Sequence, residues 1–203
     1  MLERSVKLCI AFLPLWLAAG CATMSPEECR NANWRDVGLR DGQQGAALSH
    51  LDGRIKDCAE SGVSVNTHAY LDGRAYGLRN YCRIENAMVM GLNGGYYQGV
   101  CPPDVDFVFR QRFQIGRAVY DLRAEVRGLD QRIESLERQL RATNQDEEKR
   151  LREASSDDER KRVRKAADDQ RRDIRNDLGE ADRRLHRKRD ELRAAEFTAN
   201  AVH

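Results

Sequence analysis

The sequence predicts an all-α protein: a small disulfide-stapled helical domain followed by a long antiparallel helical hairpin of the coiled-coil kind. Three observations carry that expectation. Apolar and small residues recur at steps of three and four, with no run of strict two-residue alternation that would signal a strand. The last hundred residues carry an aliphatic seam on a background that is about half charged. Between Cys21 and that seam lie four cysteines, Cys29, Cys58, Cys82 and Cys101.

The charges divide the chain. Of 35 Lys and Arg and 33 Asp and Glu, 25 and 23 fall in residues 104–203, whereas 12 of the 15 glycines come earlier. The expected parts are a leader over 1–20, a lipidated N-terminus and Cys/Gly-rich helical domain over 21–103, and a charged hairpin over 104–203 ending in a short disordered tail. The formal net charge is only +2. Acids such as Asp157, Asp158, Asp168 and Asp169 interleave with the arginines of the tail, so no one-signed surface forms and nucleic acid is not an expected partner.

The first element reads as a signal peptide. Arg4 and Lys7 precede an apolar run from Leu8 to Leu17, and Ala18, Ala19 and Gly20 lead to Cys21. The run is too short to cross about 30 Å of hydrocarbon, and Pro14 interrupts it. Leu17-Ala18-Ala19-Gly20-Cys21 resembles the bacterial lipobox, with Ala18 where a large aliphatic residue is usual. The resemblance implies cleavage before Cys21 and acylation of its sulfur. Each buried methylene contributes about 0.8 kcal/mol, so several acyl chains would hold the protein firmly in a membrane. Ala22 rather than Asp after the cysteine implies, for a Gram-negative host, the periplasmic face of the outer membrane.

Export sets the chemistry of the remaining cysteines. Their gaps of 29, 24 and 19 residues contain no Cys-x-x-Cys pair, and His50 and His68 sit at no ligand spacing to them, so no metal site is expected. An even number of thiols in a small secreted domain implies two disulfides, and three pairings are open.

The next stretch repeats small residues four apart: Gly38 and Gly42, Gly73 and Gly77, then Gly91, Gly95 and Gly99. On a helix these share a face and would let two backbones approach closely. Asp41-Gly42, Asp52-Gly53 and Asp72-Gly73 are alternatively turn dipeptides. Trp34, Val37, Leu48, Leu51 and Ile55, then Tyr70, Leu71, Leu78 and Tyr81, have helical spacing and predict helices over about 33–60 and 67–82. The pattern Trp34-x3-Gly38-x2-Asp41-Gly42-x2-Gly45, Cys58, Tyr70-x2-Gly73-Arg74-x2-Gly77-Leu78-x2-Tyr81-Cys82 and Gly94-x2-Tyr97-x2-Val100-Cys101-Pro102 resembles a bacterial family of presumed lipoproteins. That family is a domain of unknown function, number two thousand seven hundred and ninety-nine, and the resemblance covers about 24–120. One departure is Ala87 after Asn86, where the family pattern carries Gly. The resemblance implies a topology and no activity.

From Val119 the apolar positions Leu122, Val126, Leu129, Ile133, Leu136 and Leu140 alternate steps of three and four, a coiled-coil seam. A second run, Val163, Ala167, Ile174, Leu178, Ala181, Leu185, Leu192 and Ala195, implies a second helix, with Gly179 a candidate kink. The break between them falls at Thr143-Asn144-Gln145 or at Ser155-Ser156-Asp157-Asp158, where Ser155-x-x-Asp158 is a helix-start signature. Acid-first pairs such as Asp146 with Arg150, Glu148 with Arg152, Asp157 with Lys161 and Glu180 with Arg184 read as solvated helix faces. Self-closure into a hairpin is expected, with a homodimer as the alternative.

No catalytic constellation stands out. There is no Gly-x-Ser-x-Gly elbow, no His-Glu-x-x-His helix and no phosphate loop, and Asp41 and Asp72 read as turn or cap residues before an acid–base pair. No catalytic, cofactor or metal residue is assigned, and the chain is read as non-enzymatic. The expected role is a membrane-anchored structural or interaction lipoprotein whose hairpin meets a protein partner. The alternative is a small-molecule or cell-wall glycan site built from Trp34, Tyr70, Tyr76, Tyr96 and Tyr97.

Overall fold

The computed structural model describes residues 24–202. The expected leader and the lipid-bearing Cys21 lie outside the described residues. Among those described there is no strand; the helices are α1 (Pro26–Asn31), α2 (Trp34–Gln43), α3 (Ser49–Glu60), α4 (Thr67–Tyr81), α5 (Ile84–Leu92), α6 (Pro103–Glu153) and α7 (Asp157–Ala201). The all-α domain with its helical hairpin is the observed fold.

Helix α2 starts where Asn33 accepts the N–H of Asp36 and stops at Gly45, whose φ of +66° suits glycine. The Gly45 N–H donates to Gly42 O at 3.1 Å and the Ala46 N–H to Asp41 O at 2.9 Å, the paired bonds of a Schellman stop. The helix expected over 33–60 is therefore two helices, α2 and α3. The span expected over 67–82 is α4.

The glycines of α2 and α4 make one crossing. A Cβ at Gly38 would fall within 3.0 Å of the Tyr70 carbonyl, at Gly42 of the Arg74 carbonyl, at Gly73 of the Arg35 carbonyl and at Gly77 of the Leu39 carbonyl. The overlaps are reciprocal: the two backbones touch with no side chain between them. Asp41-Gly42, Asp52-Gly53 and Asp72-Gly73 all lie inside helices, so the turn reading of these dipeptides does not hold.

Helices α5 and α6 repeat this arrangement. Gly91 meets the Phe113 carbonyl and Gly116 meets the Met88 carbonyl, as Gly42 and Gly77 meet theirs. Three residues after Gly91 the chain turns at Gly94, φ +72°, and the Gly95 N–H donates to Met90 O at 2.9 Å, the same stop three residues after Gly42. The ring of Tyr81 lies against Gly45 and that of Tyr120 against Gly94, each tyrosine four residues past the crossing glycine of its helix. Seven residues before those glycines stand Tyr70 and Phe109, both fully buried. Gly38 corresponds to Ala87, four residues before Gly91 and fully buried inside α5. Ala87 is thus a helix-contact residue. Gly95 and Gly99, expected on the same helical face as Gly91, follow the end of α5; the partner of Gly91 is Gly116.

Each unit has its own disulfide. Cys29 pairs with Cys58 and Cys82 with Cys101, Cα–Cα 5.4 and 5.6 Å, which selects the sequential pairing among the three open ones. For loops of this length each bridge contributes about 3 kcal/mol by restricting the unfolded chain. The first bridge joins a core of Met24, Trp34, Val37, Leu51 and Tyr70; the second joins one of Leu78, Ala87, Tyr97 and Phe109. Of the apolar residues with helical spacing, Leu48, Ile55 and Leu71 are 49, 40 and 42 % exposed.

The expected division near residue 104 coincides with the start of α6, yet α6 to about Tyr120 completes the second unit, so domain and rod share one helix. Helices α6 and α7, 51 and 45 residues long, form an antiparallel hairpin. The break lies at Ala154–Ser156. Ser156 accepts the N–H of Glu159 at 3.2 Å while the Glu159 carboxylate accepts the Ser155 N–H at 2.9 Å, one residue later than the expected Ser155-x-x-Asp158. Thr143-Asn144-Gln145 stays helical, with the Thr143 hydroxyl donating to Gln139 O at 3.0 Å. Leu136, Ile174 and Ala181 pack in the seam with Ile133, Leu140 and Leu178. Charges join the arms as well: Arg123 with Glu196 at 2.6 Å, Lys188 with Glu125 and Arg189 with Asp130 at 3.0 Å, Arg132 with Asp177 at 3.1 Å, and Arg171 with Glu147. These arginines and acids are cross-helix contacts, beyond the solvated faces expected. Along the helices Asp146 pairs with Arg150 and Glu148 with Arg152, whereas Lys161 pairs with Asp158 and not Asp157. Gly179 lies within the unbroken α7.

The end of α7 is not a disordered tail. It is helical to Ala201, and Leu192, Ala195, Ala199 and Val202 pack on Met88, Leu92, Ile115 and Val119. The hairpin is fastened back onto the second unit.

A methyl group at the glycine crossing has nowhere to go, so Gly73→Ala and Gly77→Ala are expected to lower stability by about 3 kcal/mol. Gly128 lies in open space on α6, and Gly128→Ala is expected to raise it by up to about 1 kcal/mol. Urea unfolding of the oxidised protein measures both; equal effects at 77 and 128 would contradict the backbone contact.

Candidate functional site

The contact of α2 with α4 leaves Asp41, one residue before Gly42, facing inward. It is 5 % exposed. Arg54 from α3 holds it in two-pronged fashion, Nη2 to Oδ1 at 2.7 Å and Nε to Oδ2 at 3.2 Å. Tyr70 from α4 donates its hydroxyl to Oδ2 at 2.6 Å. A buried carboxylate is costly unless its charge is matched and its lone pairs are filled, and Arg54 and Tyr70 do both. Burial, then the Asp41 hydrogen bond, pushes the Tyr70 hydroxyl up to about 12. Beside the cluster, Arg74 donates from Nη2 to Ala46 O at 2.9 Å, while its Nε is buried without a partner.

The second unit holds a comparable trio from other positions. The Tyr97 hydroxyl donates to Asp106 and accepts the Cys101 N–H at 3.0 Å. Arg110 Nε donates to Asp106 Oδ2 at 2.6 Å and its guanidinium lies 5.2 Å over the Tyr97 ring. Burial, then Asp106, pushes Tyr97 up to about 12, and Arg110 with Tyr97 holds Asp106 below the usual carboxylate range. Asp106 and Arg110 are four apart and legible as a pair in the sequence; Tyr97 stood out as a motif and aromatic residue but not as a partner of Asp106, and Arg54 carried no local signal.

Above Asp41 and Arg54 an open groove of about 530 Å³ runs past Met24, Glu28, Asn31, Asp36, Arg40 and Gln44. Its lining is mostly polar.

The structure does not bring Asp41 and Asp72 together as an acid–base pair. Asp41 is occupied by Arg54 and Tyr70, and Asp72 is on the surface with Arg35 at 2.8 Å. The five aromatics considered for a ligand platform are also dispersed: Trp34 and Tyr70 belong to the first core and Tyr97 to the second, whereas Tyr76 and Tyr96 are 54 and 79 % exposed. Among the described residues no three His, Cys, Asp or Glu side chains gather as metal ligands, and no helix is long and apolar enough to cross a membrane.

The family comparison matches the crossings. Residues 33–118 fit the model of a family described as "Protein of unknown function (DUF2799)". This segment matches the DUF2799 domain. Its first matched residue is the cap of α2 and its last lies two residues past Gly116 in α6, so the DUF2799 domain contains both glycine crossings. It includes Cys58, Cys82 and Cys101 but not Cys29, and it stops before the hairpin. No curated protein and no solved structure matches the chain.

Removing the counter-charge isolates Asp41 in the core of the DUF2799 domain, so Arg54→Met is expected to cost about 3–5 kcal/mol. Tyr70→Phe removes one hydrogen bond to a charged group and is expected to cost about 1.5–3 kcal/mol. With Tyr70 and Tyr97 raised above their unfolded values, their contribution is complete below about pH 10 and is lost as pH rises toward about 12. Denaturation between those values should show a falling limb that Tyr70→Phe with Tyr97→Phe flattens. A limb unchanged in the double variant would contradict the assignment.

Proposed function

We propose that the protein is an envelope lipoprotein, held by acyl chains on Cys21 at the periplasmic face of a Gram-negative outer membrane, that presents a stiff helical hairpin to a protein partner. It acts as a structural or interaction module and not as a catalyst. The observation that carries this reading is the continuity of α6. The helix begins two residues after Cys101, builds half of the second disulfide unit and runs on without a break to Glu153. Residues 121–153 alone extend about 50 Å at 1.5 Å per residue. A helix anchored by a bridge at one end, braced by α7 along its length and clasped by Ala199 on Met88 and Val119 transmits position without a flexible joint.

Two further features support the envelope setting. Four paired cysteines belong to an oxidising compartment. The apolar leader before Cys21 belongs to export. The exposed faces of the rod carry interleaved acids and bases, a surface suited to a protein partner with a complementary pattern and unsuited to nucleic acid.

Mass spectrometry of the membrane-extracted, unreduced protein is expected to show a chain starting at an acylated Cys21, and Cys21→Ser to release it from the membrane. In cells, a photoreactive residue in place of Arg127, Arg164 or Arg175 on the rod is expected to give discrete protein adducts. An intact Met1 start refutes the anchor, and the absence of adducts at all three positions refutes the partner.

A further inference from the structure

Met24, where the described chain begins, is already part of the folded core. It is 9 % exposed, packs in the cluster of Cys29, Trp34 and Val37, and donates its N–H to Asp57 Oδ2 at 3.3 Å. Only Ala22 and Thr23 separate it from Cys21. Three residue steps span at most roughly 11 Å even when fully extended. An acylated Cys21 would therefore leave the first disulfide unit no slack: the face around Met24 would lie at the depth of the lipid headgroups.

We propose, resting on the lipoprotein reading above, that this face is a membrane-apposed surface and that the groove beside Met24 receives zwitterionic phospholipid headgroups of the ethanolamine kind. The groove's chemistry selects that class. Surfaces that seek anionic leaflets are polybasic. Here the charged lining residues are three acids, Glu28, Asp36 and Asp41, and two bases, Arg40 and Arg54, with Asp41 and Arg54 satisfying one another. The Asp36 carboxylate suits an ammonium group, with the second oxygen of Glu28, whose Oε2 accepts the Ser25 N–H at 2.7 Å in the α1 capping box, beside it. Arg40, which makes none of the ion pairs found among the described residues, suits the phosphate, with the Asn31 and Gln44 amides as further donors. Headgroup and groove thus each carry charges of both signs.

The test uses the full acylated protein in vesicles of phosphatidylcholine and phosphatidylethanolamine, with and without phosphatidylglycerol. A benzophenone residue replaces Asn33 or Gln44 at the groove, or Arg175 on the rod, and lipid adducts are read by mass. Adducts from the groove positions should exceed those from 175 and persist without phosphatidylglycerol. Arg40→Glu is expected to lower the yield at the groove about tenfold, the loss of one hydrogen bond to a charged phosphate. Groove yields no higher than at 175, yields that require phosphatidylglycerol, or yields indifferent to Arg40→Glu overturn the proposal. The same spectra report the mass at Cys21. A missing acyl group refutes the anchor reading, whereas an acylated chain without groove adducts refutes this docking alone.

Discussion

Everything in the compact part depends on two helix backbones touching. Where Gly38 and Gly42 of α2 meet Gly73 and Gly77 of α4, the carbonyls of one helix occupy the space that side chains of the other would need. Such a contact gains dispersion and brings the flanking residues close, but it buries little apolar side-chain area. The deficit is met by other means. The Cys29–Cys58 bridge limits the unfolded chain, and the Asp41, Arg54 and Tyr70 cluster ties three helices together in an interior with few large side chains.

The same solution appears twice in succession. Gly42 with Gly77 and Gly91 with Gly116 are equivalent crossings, followed by equivalent Schellman stops at Gly45 and Gly94 and equivalent tyrosine lids, Tyr81 and Tyr120. The repeats then diverge. In the first unit the second helix, α4, ends at Tyr81; in the second unit the corresponding helix, α6, continues into the rod. The family match ends at residue 118, just past the second crossing, while the helix runs on. Domain and rod are mechanically one body along α6, and the return of α7 onto Met88 and Val119 closes the lever at its base.

The polar trios, buried in the first unit and partly exposed in the second, are better understood as locks than as reactive groups. In each, a tyrosine hydroxyl and an arginine occupy the oxygens of one carboxylate, and in each the tyrosine is driven to a higher pKa by burial first and the carboxylate second. A proton held more tightly at neutral pH is suited to fixing geometry. The arrangement ties the first unit's groove to its glycine crossing, because Asp41 is both the floor of the groove and the neighbour of Gly42.

The sequence by itself determined the helical class, the rod with its seam from Val119 to Leu140, the α4 span and the involvement of four cysteines, because periodicity and cysteine number are properties of neighbours along the chain. It also made the close approach of glycine-bearing helices an expectation. Only the tertiary structure decided which thiols pair, that Gly91 answers to Gly116 and not to Gly95, that Ala87 is a contact residue, that α7 is helical to its end, and that Asp41 belongs with Arg54 and Tyr70 while Asp72 stays on the surface. Each of these joins residues 13 to 111 positions apart, as Asp41 with Arg54 and Met88 with Ala199. Local pattern fixes which face a residue is on; which other face it meets is set by the packing of whole helices, and that information is not carried by any short stretch of the chain.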